Sequence, residues 1–322
     1  MRTRQLVCTE RGTVELLEMD VRDPGPQELL VRTRCTLISV GTERAFMMGV
    51  ENTPERYPDY HWGYSNIGEV VAVGDGTEGF AEGDLVASNG VHADWVVCST
   101  QRTLHVPEGL PPQRAIFFHL ATIALQGVRK AAIELGERVS VMGQGTIGNL
   151  AMQQAKLSGG LPVTAIDLLD HRLEVALACG ADAVANPSTT DLSELPRASV
   201  VIEATGSPDA INTAFRLARS MGRVILLAST RGNPEVNFYR DVHKAGLIIH
   251  GASNGARPQL ESAARYWTWL DDCDTVLRLL AAERLVVDPM VSHRVAPEEA
   301  LELYEQMKEG SEELLAPIIV WE

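Results

Sequence analysis

Long apolar runs, basic clusters and closely spaced cysteines are all missing from this sequence. No stretch reaches the roughly 18 uninterrupted apolar residues of a membrane-spanning helix. The formal net charge is −15, from 28 basic and 43 acidic residues, and no basic run offsets it, so binding to nucleic acid or to an anionic membrane is not expected. The five cysteines never occur in CxxC spacing, which favours reduced, packed thiols over a disulfide framework.

A secretory leader is not expected either. The opening "MRTRQLVCTERG" is charged almost at once and has no apolar stretch long enough for a signal peptide. Together with the reduced thiols, this predicts a cytoplasmic protein.

The composition and length fit a globular chain of roughly two domains, with 322 residues of which 45% are hydrophobic and 22% charged. The first part is rich in β-branched runs separated by turns such as "GDGTEGFAEGD". The tail carries two or three helical stretches and the strand-like "APIIVWE". We predict a β-rich domain of residues 1–112 and 258–322, with a second domain of residues 113–257 inserted in it.

The middle of the chain alternates between short apolar strands and helices. A helical pattern over 111–132 precedes the strand "RVSVMG", the helix of "QGTIGNLAMQQAKLSG" and the strand "PVTAIDL". The helix "DHRLEVALACG", the strand "ASVVIEATG", a helix over 208–222 and the strands "GRVILLAS" and "LIIHGA" follow. Buried parallel strands joined by helices predict an α/β fold with a doubly wound parallel sheet.

A dinucleotide-binding turn is indicated by "VSVMGQGTIGNLA", which has GxGxxG spacing at Gly143, Gly145 and Gly148. The spacing occurs directly after a strand and at the start of a helix, where the mechanism needs it. The glycines allow a tight turn and a close approach of the backbone to a pyrophosphate, and the helix N-terminus supplies amide donors.

An acid at the end of the next strand supports this interpretation. Asp167 lies 19 residues after Gly148, where a carboxylate accepts hydrogen bonds from ribose hydroxyls and repels a 2′-phosphate, so NAD(H) is favoured over NADP(H). The strand ends at Thr205 and Ala228 are expected to line the nicotinamide with their backbone. The complete predicted cofactor-binding set is Gly143, Gln144, Gly145, Thr146, Ile147, Gly148, Asp167, Arg172, Thr205 and Ala228.

Several motifs together resemble those of the medium-chain dehydrogenase/reductase superfamily, the alcohol dehydrogenase-like enzymes, over nearly the whole chain. They are "LISVGTE", "GYSNIGEVVAVG", "EGFAEGDLVA", "MGQGTIGNLAMQQAK", "VTAIDLLDHRLEVA" and "VVIEATGSPDA". The combination of "SVGTER", "GYSNIGEVV" and "FFHLATIALQGVR" is most similar to the zinc-free subgroup of the bacteriochlorophyllide hydroxyethyl dehydrogenases. The resemblance implies a GroES-like β-rich catalytic domain, a Rossmann domain and a homodimer that pairs through the edge strand near "LIIHGAS".

The zinc ligands of the superfamily are not matched. The resemblance places Val40, Tyr64 and His119 at the three ligand positions. Valine cannot bind zinc, a neutral phenol is a poor ligand, and one histidine cannot hold the metal alone. The four closely spaced cysteines of the structural zinc lobe are also absent, so no zinc is expected.

Other side chains are then expected to take over the role of the metal. The resemblance makes Thr42 a proton-relay hydroxyl and places Tyr64 and His119 where they could donate to the substrate oxygen and exchange protons. Glu43 matches the superfamily's acid behind the metal and is expected to pair with Arg44. His61, His92 and His293 are expected to serve packing rather than chemistry.

The leading hypothesis is a zinc-independent NAD(H)-dependent oxidoreductase that interconverts a secondary alcohol and a ketone. One alternative is an enoyl or quinone reductase acting on activated C=C bonds, since zinc-free members of the superfamily include such enzymes. The other alternative is a non-catalytic NAD-binding protein. The expected partners are a small-molecule substrate and a second copy of the chain.

Overall fold

The computed structural model describes residues 1–321, which form two compact units. The first unit comprises residues 1–119 and the tail from Cys273, and the second is Leu120–Asp272. Both divisions fall inside helices, whereas the sequence suggested breaks after residues 112 and 257. A compact unit is not the same as a functional domain, so the predicted domain boundaries at residues 112 and 257 stay a prediction.

The strands and helices are numbered here in chain order. The strands are β1 (Arg2–Glu10), β2 (Thr13–Asp20), β3 (Glu28–Leu37), β4 (Asn66–Val73), β5 (Leu85–Ser88), β6 (Trp95–Ser99), β7 (Thr103–His105), β8 (Val139–Met142), β9 (Val163–Ile166), β10 (Ala183–Ala185), β11 (Ala198–Glu203), β12 (Ala218–Leu226), β13 (Ile248–Gly251), β14 (Arg294–Val295) and β15 (Ile318–Val320). The α-helices are α1 (Val40–Met47), α2 (Pro112–Ala115), α3 (Phe118–Ala131), α4 (Thr146–Leu157), α5 (Asp170–Ala178), α6 (Pro208–Leu217), α7 (Trp269–Ala281) and α8 (Ala300–Glu309).

The first unit is built on a seven-stranded sheet and a separate two-stranded one. The larger sheet runs β14-β15-β3-β4-β5-β7, and β6 pairs with β3. All its pairs are antiparallel except β14 with β15, and β1 pairs with β2 alone. This is the GroES-like β-rich half of the predicted fold class.

Helices α1 and α8 contribute to one apolar core of this unit. Ala300, Leu303, Tyr304 and Met307 recur at helical spacing on α8 and are all buried, so one face of the helix packs inward. The helix ends at Gly310, whose φ of +86° is the left-handed conformation typical of a helix C-terminus. This packing fixes Tyr304 beneath the start of α1.

The second unit is a doubly wound parallel sheet in the order β10-β9-β8-β11-β12-β13. Every neighbouring pair is parallel. Helix α4 joins β8 to β9, α5 joins β9 to β10 and α6 joins β11 to β12, as in a Rossmann fold. The predicted α/β fold class is confirmed, and the glycine turn follows the central strand β8.

Two helical predictions were too long. The helix expected over 208–222 ends at Leu217, because Ala218 is extended and the chain turns at Met221, whose φ is +57°. The helix expected over 111–132 is divided into α2 and α3. Ser65 Oγ donates to the Ile116 carbonyl at 2.7 Å, so an outside side chain satisfies that carbonyl at the break. The short strand β10 was not predicted.

Candidate functional site

The glycine turn between β8 and α4 has the geometry that its spacing predicts. Gly143 has a φ of +84°, and a Cβ there would lie 2.9 Å from the backbone of Ala204. A Cβ on Gly148 would lie 1.7 Å from the Gly143 carbonyl oxygen, so only glycine fits. Both residues are therefore required by the fold itself.

Gly145 differs from the other two glycines. Its φ is −65°, which any residue can adopt, and a Cβ there would meet nothing within 4 Å. The space beside Gly145, at the N-terminus of α4, is open to a ligand that approaches the backbone closely. An unfilled cradle at the start of a twelve-residue helix fits the pyrophosphate of a dinucleotide.

Asp167 lies at the end of β9 and is tied to this turn. One carboxylate oxygen accepts the Gln144 amide at 2.5 Å, and the other accepts the Leu169 amide at 3.0 Å. The half-buried carboxylate is thus held by backbone on both sides and keeps lone pairs for a further donor. Arg172 is half-buried on α5, Thr146 is buried and Ile147 is half-buried in the first turn of α4.

The turns after β11 and β12 are joined through Glu203. The Glu203 carbonyl accepts the amide of Ala228 at 3.0 Å, and its side chain accepts the amide of Thr205 at 2.7 Å. Gly206 is packed so closely that a Cβ there would lie 3.0 Å from the Ser229 carbonyl. The two strand ends predicted to line a nicotinamide are therefore neighbours at the carboxyl edge of the sheet.

Thr42, Tyr64 and His119 all lie in the first unit, and the structure brings Tyr64 together with both of the others. The rings of Tyr64 and His119 are 5.0 Å apart between centroids, at an angle of 57°. The side-chain hydroxyls of Ser39 and Thr42 lie near the phenol and affect its pKa. Burial raises the pKa of Tyr64 to about 12, whereas these two hydroxyls oppose the rise and the Glu43 charge adds to it.

Glu43 does not pair with Arg44, so that expectation was wrong. Arg44 donates to the Met307 carbonyl instead. The buried Glu43 carboxylate accepts the Tyr304 hydroxyl at 2.6 Å and the Ser39 amide at 2.7 Å. These two hydrogen bonds reach the carboxylate from the start of its own helix and from α8, and the buried environment strengthens them.

His92 also contacts this carboxylate, with its Nε2 atom 3.4 Å from Glu43. The imidazole is fully buried over Gly63, where a Cβ would lie 2.5 Å from the ring. His92 was expected to serve packing alone, and the packing against Gly63 is present. The ring nitrogen beside Glu43 adds an electrostatic contact that the sequence did not indicate.

The side chains that the resemblance predicts at the zinc-ligand positions do not fit zinc. Val40 has no donor atom, and Tyr64 is a phenol whose pKa is raised to about 12, so it stays neutral. Across residues 1–321, no group of three His, Cys, Asp or Glu side chains could hold a metal ion. No helix in the same range is long and apolar enough to cross a membrane.

Ser39, His92 and Tyr304 are the site residues that sequence reasoning missed. Ser39 had a signal, since a serine four residues before a glutamate at a helix start is close to a capping-box spacing. His92 and Tyr304 had none, because they are 49 and 261 positions away from Glu43 in the chain.

The family model and the relatives that resemble this chain are all named as dehydrogenases. The family model for "Zinc-binding dehydrogenase" matches residues 146–268. L-threonine 3-dehydrogenase of Pyrococcus abyssi is 29% identical over 92% of this chain and 93% of its own length. D-guloside 3-dehydrogenase of Escherichia coli is 27% identical over 96% and 98%.

Solved structures show the same fold along the full chain. Galactitol-1-phosphate dehydrogenase of Escherichia coli superposes with a TM-score of 0.87 at 20% identity, over 98% of this chain and 99% of that one. Other structures of this fold include one bound to NADP and one complexed with NADH. A GroES-like unit and a Rossmann unit with its glycine turn, in one chain, define the alcohol dehydrogenase-like architecture. The chain is similar along its length to members of the medium-chain dehydrogenase/reductase superfamily.

Proposed function

We propose that the protein is an NAD(H)-dependent oxidoreductase that interconverts a secondary alcohol and a ketone without zinc. The similar proteins are named as dehydrogenases of threonine, guloside and galactitol phosphate, which supports chemistry at an alcohol carbon. The single observation that carries the proposal is the contact of the Tyr64 and His119 rings, 5.0 Å apart between centroids, which joins two of the side chains that the resemblance predicts at metal-ligand positions. The narrower likeness to bacteriochlorophyllide hydroxyethyl dehydrogenases stays a prediction.

The second unit holds the cofactor in this proposal. The turn from Gly143 to Gly148 and the first amides of α4 bind the pyrophosphate, and Asp167 accepts the ribose hydroxyls. Its charge disfavours a 2′-phosphate, so NAD(H) is preferred, although solved structures of the fold hold either NADP or NADH. The backbone near Thr205 and Ala228 contacts the nicotinamide, which supplies or accepts the hydride when bound.

Tyr64 donates its proton to the substrate oxygen in this mechanism. Ser39 and Thr42 lie near the phenol and favour its phenolate form, which assists transfer of the phenol proton to a ligand. A carbonyl that gains a hydride becomes an alkoxide, and a fixed donor stabilises the charge as it develops. The pKa of about 12 keeps this donor protonated at neutral pH.

Thr42 and His119 return a proton to the Tyr64 phenolate after Tyr64 has given its own proton to the product alkoxide. Thr42 lies near the phenol and serves as the relay hydroxyl. His119 lies against the Tyr64 ring, and an imidazole exchanges protons near neutral pH. No step is assigned to zinc, because the side chains at Val40 and Tyr64 do not fit that metal.

Substitution of Tyr64 tests the proposal. Tyr64→Phe removes one hydroxyl and is expected to lower kcat for ketone reduction by about a hundredfold, with unchanged NADH binding. Tyr239→Phe is the matched control, because Tyr239 is 63% exposed in the second unit. A panel of ketones and enones is assayed with both variants. Turnover of enones alone would favour a C=C reductase, and NADH binding without any turnover would favour a non-catalytic protein.

A homodimer formed through β13 is the second part of the proposal. β13 is an edge strand of the second unit's sheet, and Ile248 on it is 51% exposed. An unprotected edge with an apolar side chain favours pairing with another copy. Light scattering after gel filtration measures the mass, and Ile248→Lys is expected to shift a dimer to a monomer.

A further inference from the structure

Helix α3 holds the turn after β13, residues 251–257, by its carbonyl groups. Lys130 Nζ donates to the carbonyls of Gly251 at 3.1 Å and Ala256 at 2.9 Å. Gln126, four positions earlier on the same face of α3, donates its side-chain amide to a carbonyl between them. Three carbonyls of the turn are thereby directed toward side chains of the helix.

Arg257 closes the other end of the turn. Its guanidinium donates to the backbone carbonyl and to the side-chain oxygen of Asn254, both at 2.9 Å. The Ser253 carbonyl accepts the amide of Ala256 at 2.9 Å. Most carbonyls of the turn are thus bonded within the protein, whereas the backbone amides of residues 253–255 have no acceptor within residues 1–321. These three consecutive amides are available to an acceptor from a ligand.

Lys130 is a buried positive charge beside this turn. Its side chain belongs to a residue that is only 8% exposed, and among the described residues it hydrogen-bonds with carbonyls and with no carboxylate. The one fully buried carboxylate beside the turn, Asp272, is shared by Arg129 at 2.6 Å and Arg257 at 3.0 Å. The charge of Lys130 is therefore not balanced by a hydrogen-bonded acid, in a protein whose net charge is −15.

The surroundings of Lys130 favour a negative charge nearby. Burial and the neighbouring Arg257 charge lower the pKa of Lys130. A buried cation without an acidic partner is costly to keep charged, whereas an anion close to it stabilises the charged form. Because the turn lies directly against this cation and offers amide donors, it suits a ligand group that carries negative charge.

The turn after β13 lies at the edge of the sheet where ligands bind in this fold. β13 is parallel to β12 and next to it, so the turns that follow both strands lie at the carboxyl edge. The Ala252 amide donates to the Leu226 carbonyl at 2.9 Å, which joins this turn to the end of β12 and the turn that contains Ala228. That second turn is proposed above to contact the nicotinamide, and the reacting carbon of a substrate must lie against the same ring.

We propose that the turn after β13 binds an anionic group of the substrate, a carboxylate or a phosphate, through the amides of residues 253–255, and that Lys130 supplies the charge that attracts it. This inference rests on the proposed function and names the substrate class: a secondary alcohol or ketone that also carries a negative charge. Lys130 does not need to touch the anion, because a buried charge acts over several ångströms and is screened little by salt.

Calorimetric titration tests the proposal without turnover. The protein is mixed with excess NAD⁺, which cannot reduce a ketone, and is titrated with levulinate and with pentan-2-one, which has a methyl group in place of the carboxylate. Dihydroxyacetone phosphate and dihydroxyacetone form the second pair. The anionic member of at least one pair is expected to bind about tenfold or more tightly than the neutral member, and the responding pair distinguishes carboxylate from phosphate. Equal affinities within both pairs, or no binding of either anion, would overturn the proposal.

Substitution of Lys130 assigns the preference to this cation. Lys130→Met keeps a long side chain without the charge, so the affinity for the anionic ketone is expected to fall by about tenfold while that for the neutral ketone changes less than about twofold. Lys130→Arg keeps the charge and is expected to keep the preference. Lys244→Met is the matched control, because it removes an exposed lysine of the same unit. Equal losses for both ketones in Lys130→Met would overturn the proposal, and the comparison within the wild-type protein decides it if that variant does not fold.

Cofactor binding and turnover separate this inference from the proposed function. Lys130→Met is expected to bind NADH as the wild-type protein does, and a loss of NADH affinity as large as the loss for the anionic ketone would overturn the proposal, since the turn would then serve the nicotinamide. Reduction of neutral and anionic ketones with equal kcat/KM would overturn this inference alone. Binding of an anionic ketone without any reduction by NADH would support the role of the turn and contradict the proposed function.

Discussion

The Asp167 carboxylate accepts the Gln144 amide at 2.5 Å, which ties the acid after β9 to the glycine turn after β8. Its other oxygen accepts the Leu169 amide. The carboxylate is therefore fixed before any ligand arrives, and its charge lies beside the turn that we propose as the pyrophosphate site. Preorganisation of this kind reduces the entropic cost of ordering the site when the ligand binds.

Substitution of Asp167 is expected to change cofactor preference. Asp167→Ser removes the charge and one of the two amide contacts, so NADH affinity is expected to fall by about tenfold while NADPH affinity changes less or rises. Fluorescence titration of both reduced cofactors measures this. Equal losses for NADH and NADPH would indicate that the carboxylate only supports the turn.

The glycine turn provides a paired prediction. Gly145→Ala places a methyl group in open space, so folding is expected to be preserved while NADH binding weakens by about tenfold or more. Gly148→Ala forces a methyl group to within 1.7 Å of the Gly143 carbonyl, and the protein is expected to unfold or lose much stability. Thermal unfolding and NADH titration of both variants check this. A Gly145→Ala protein with normal NADH affinity would contradict the pyrophosphate site.

The burial of Glu203 is expected to make the stability of the protein depend on pH. Its side chain is fully buried, and Oε2 has no hydrogen-bond partner among the described residues. Burial raises the pKa of Glu203, against hydrogen bonds from Thr205 and Gly206 that lower it. The folded state therefore holds the proton more tightly than the unfolded state. The stabilising contribution of this carboxyl to the free energy of unfolding is fully present below its unfolded pKa, and it is lost as the pH rises through the pKa of the folded state.

Glu203→Gln is expected to remove this dependence. The variant is expected to gain stability relative to the wild type as the pH rises from acidic to neutral, measured as the difference in free energy of unfolding at several pH values. A constant difference across that range would show that Glu203 does not titrate between the folded and unfolded states.

Substitution of Asp272 is expected to lower the free energy of unfolding of the second unit by a large amount. Its fully buried carboxylate pairs with Arg129 at 2.6 Å and with Arg257 at 3.0 Å. Asp272→Ala leaves buried cations without this partner and is expected to cost about 3–5 kcal/mol in unfolding free energy. Asp274→Ala, which breaks an exposed pair with Arg278, is expected to cost less than about 1 kcal/mol. Urea denaturation compares the two, and similar small losses would contradict the importance of the buried pair.

The conformation of the glycine turn could be predicted from the sequence because its requirements are local. Strand, glycine spacing and helix occur in order over a dozen residues, and the next acid follows at the end of the next strand. The alternation of strands and helices likewise indicated the parallel sheet. The predicted helix ends were less accurate. Ala218 is extended at the end of α6, and local helix propensity does not account for tertiary effects of this kind.

The contacts of the Glu43 carboxylate could not be predicted, because they are made by residues far apart in the chain. Tyr304 reaches Glu43 from the tail, and His92 reaches it from a turn between strands. Arg44 was expected to pair with Glu43 because the two residues are adjacent in the sequence. Successive residues of a helix point in different directions, however, so they do not face each other. Only the fold decides which donors face a buried carboxylate.

The most direct test of the account is the turnover number for ketone reduction by NADH, measured on purified protein whose zinc content is determined by plasma mass spectrometry in the same sample. Full activity is expected at a zinc content far below one ion per chain, unchanged by added zinc or by a chelator. Activity that rises in proportion to bound zinc would contradict it, and would mean that residues other than Val40, Tyr64 and His119 hold a metal.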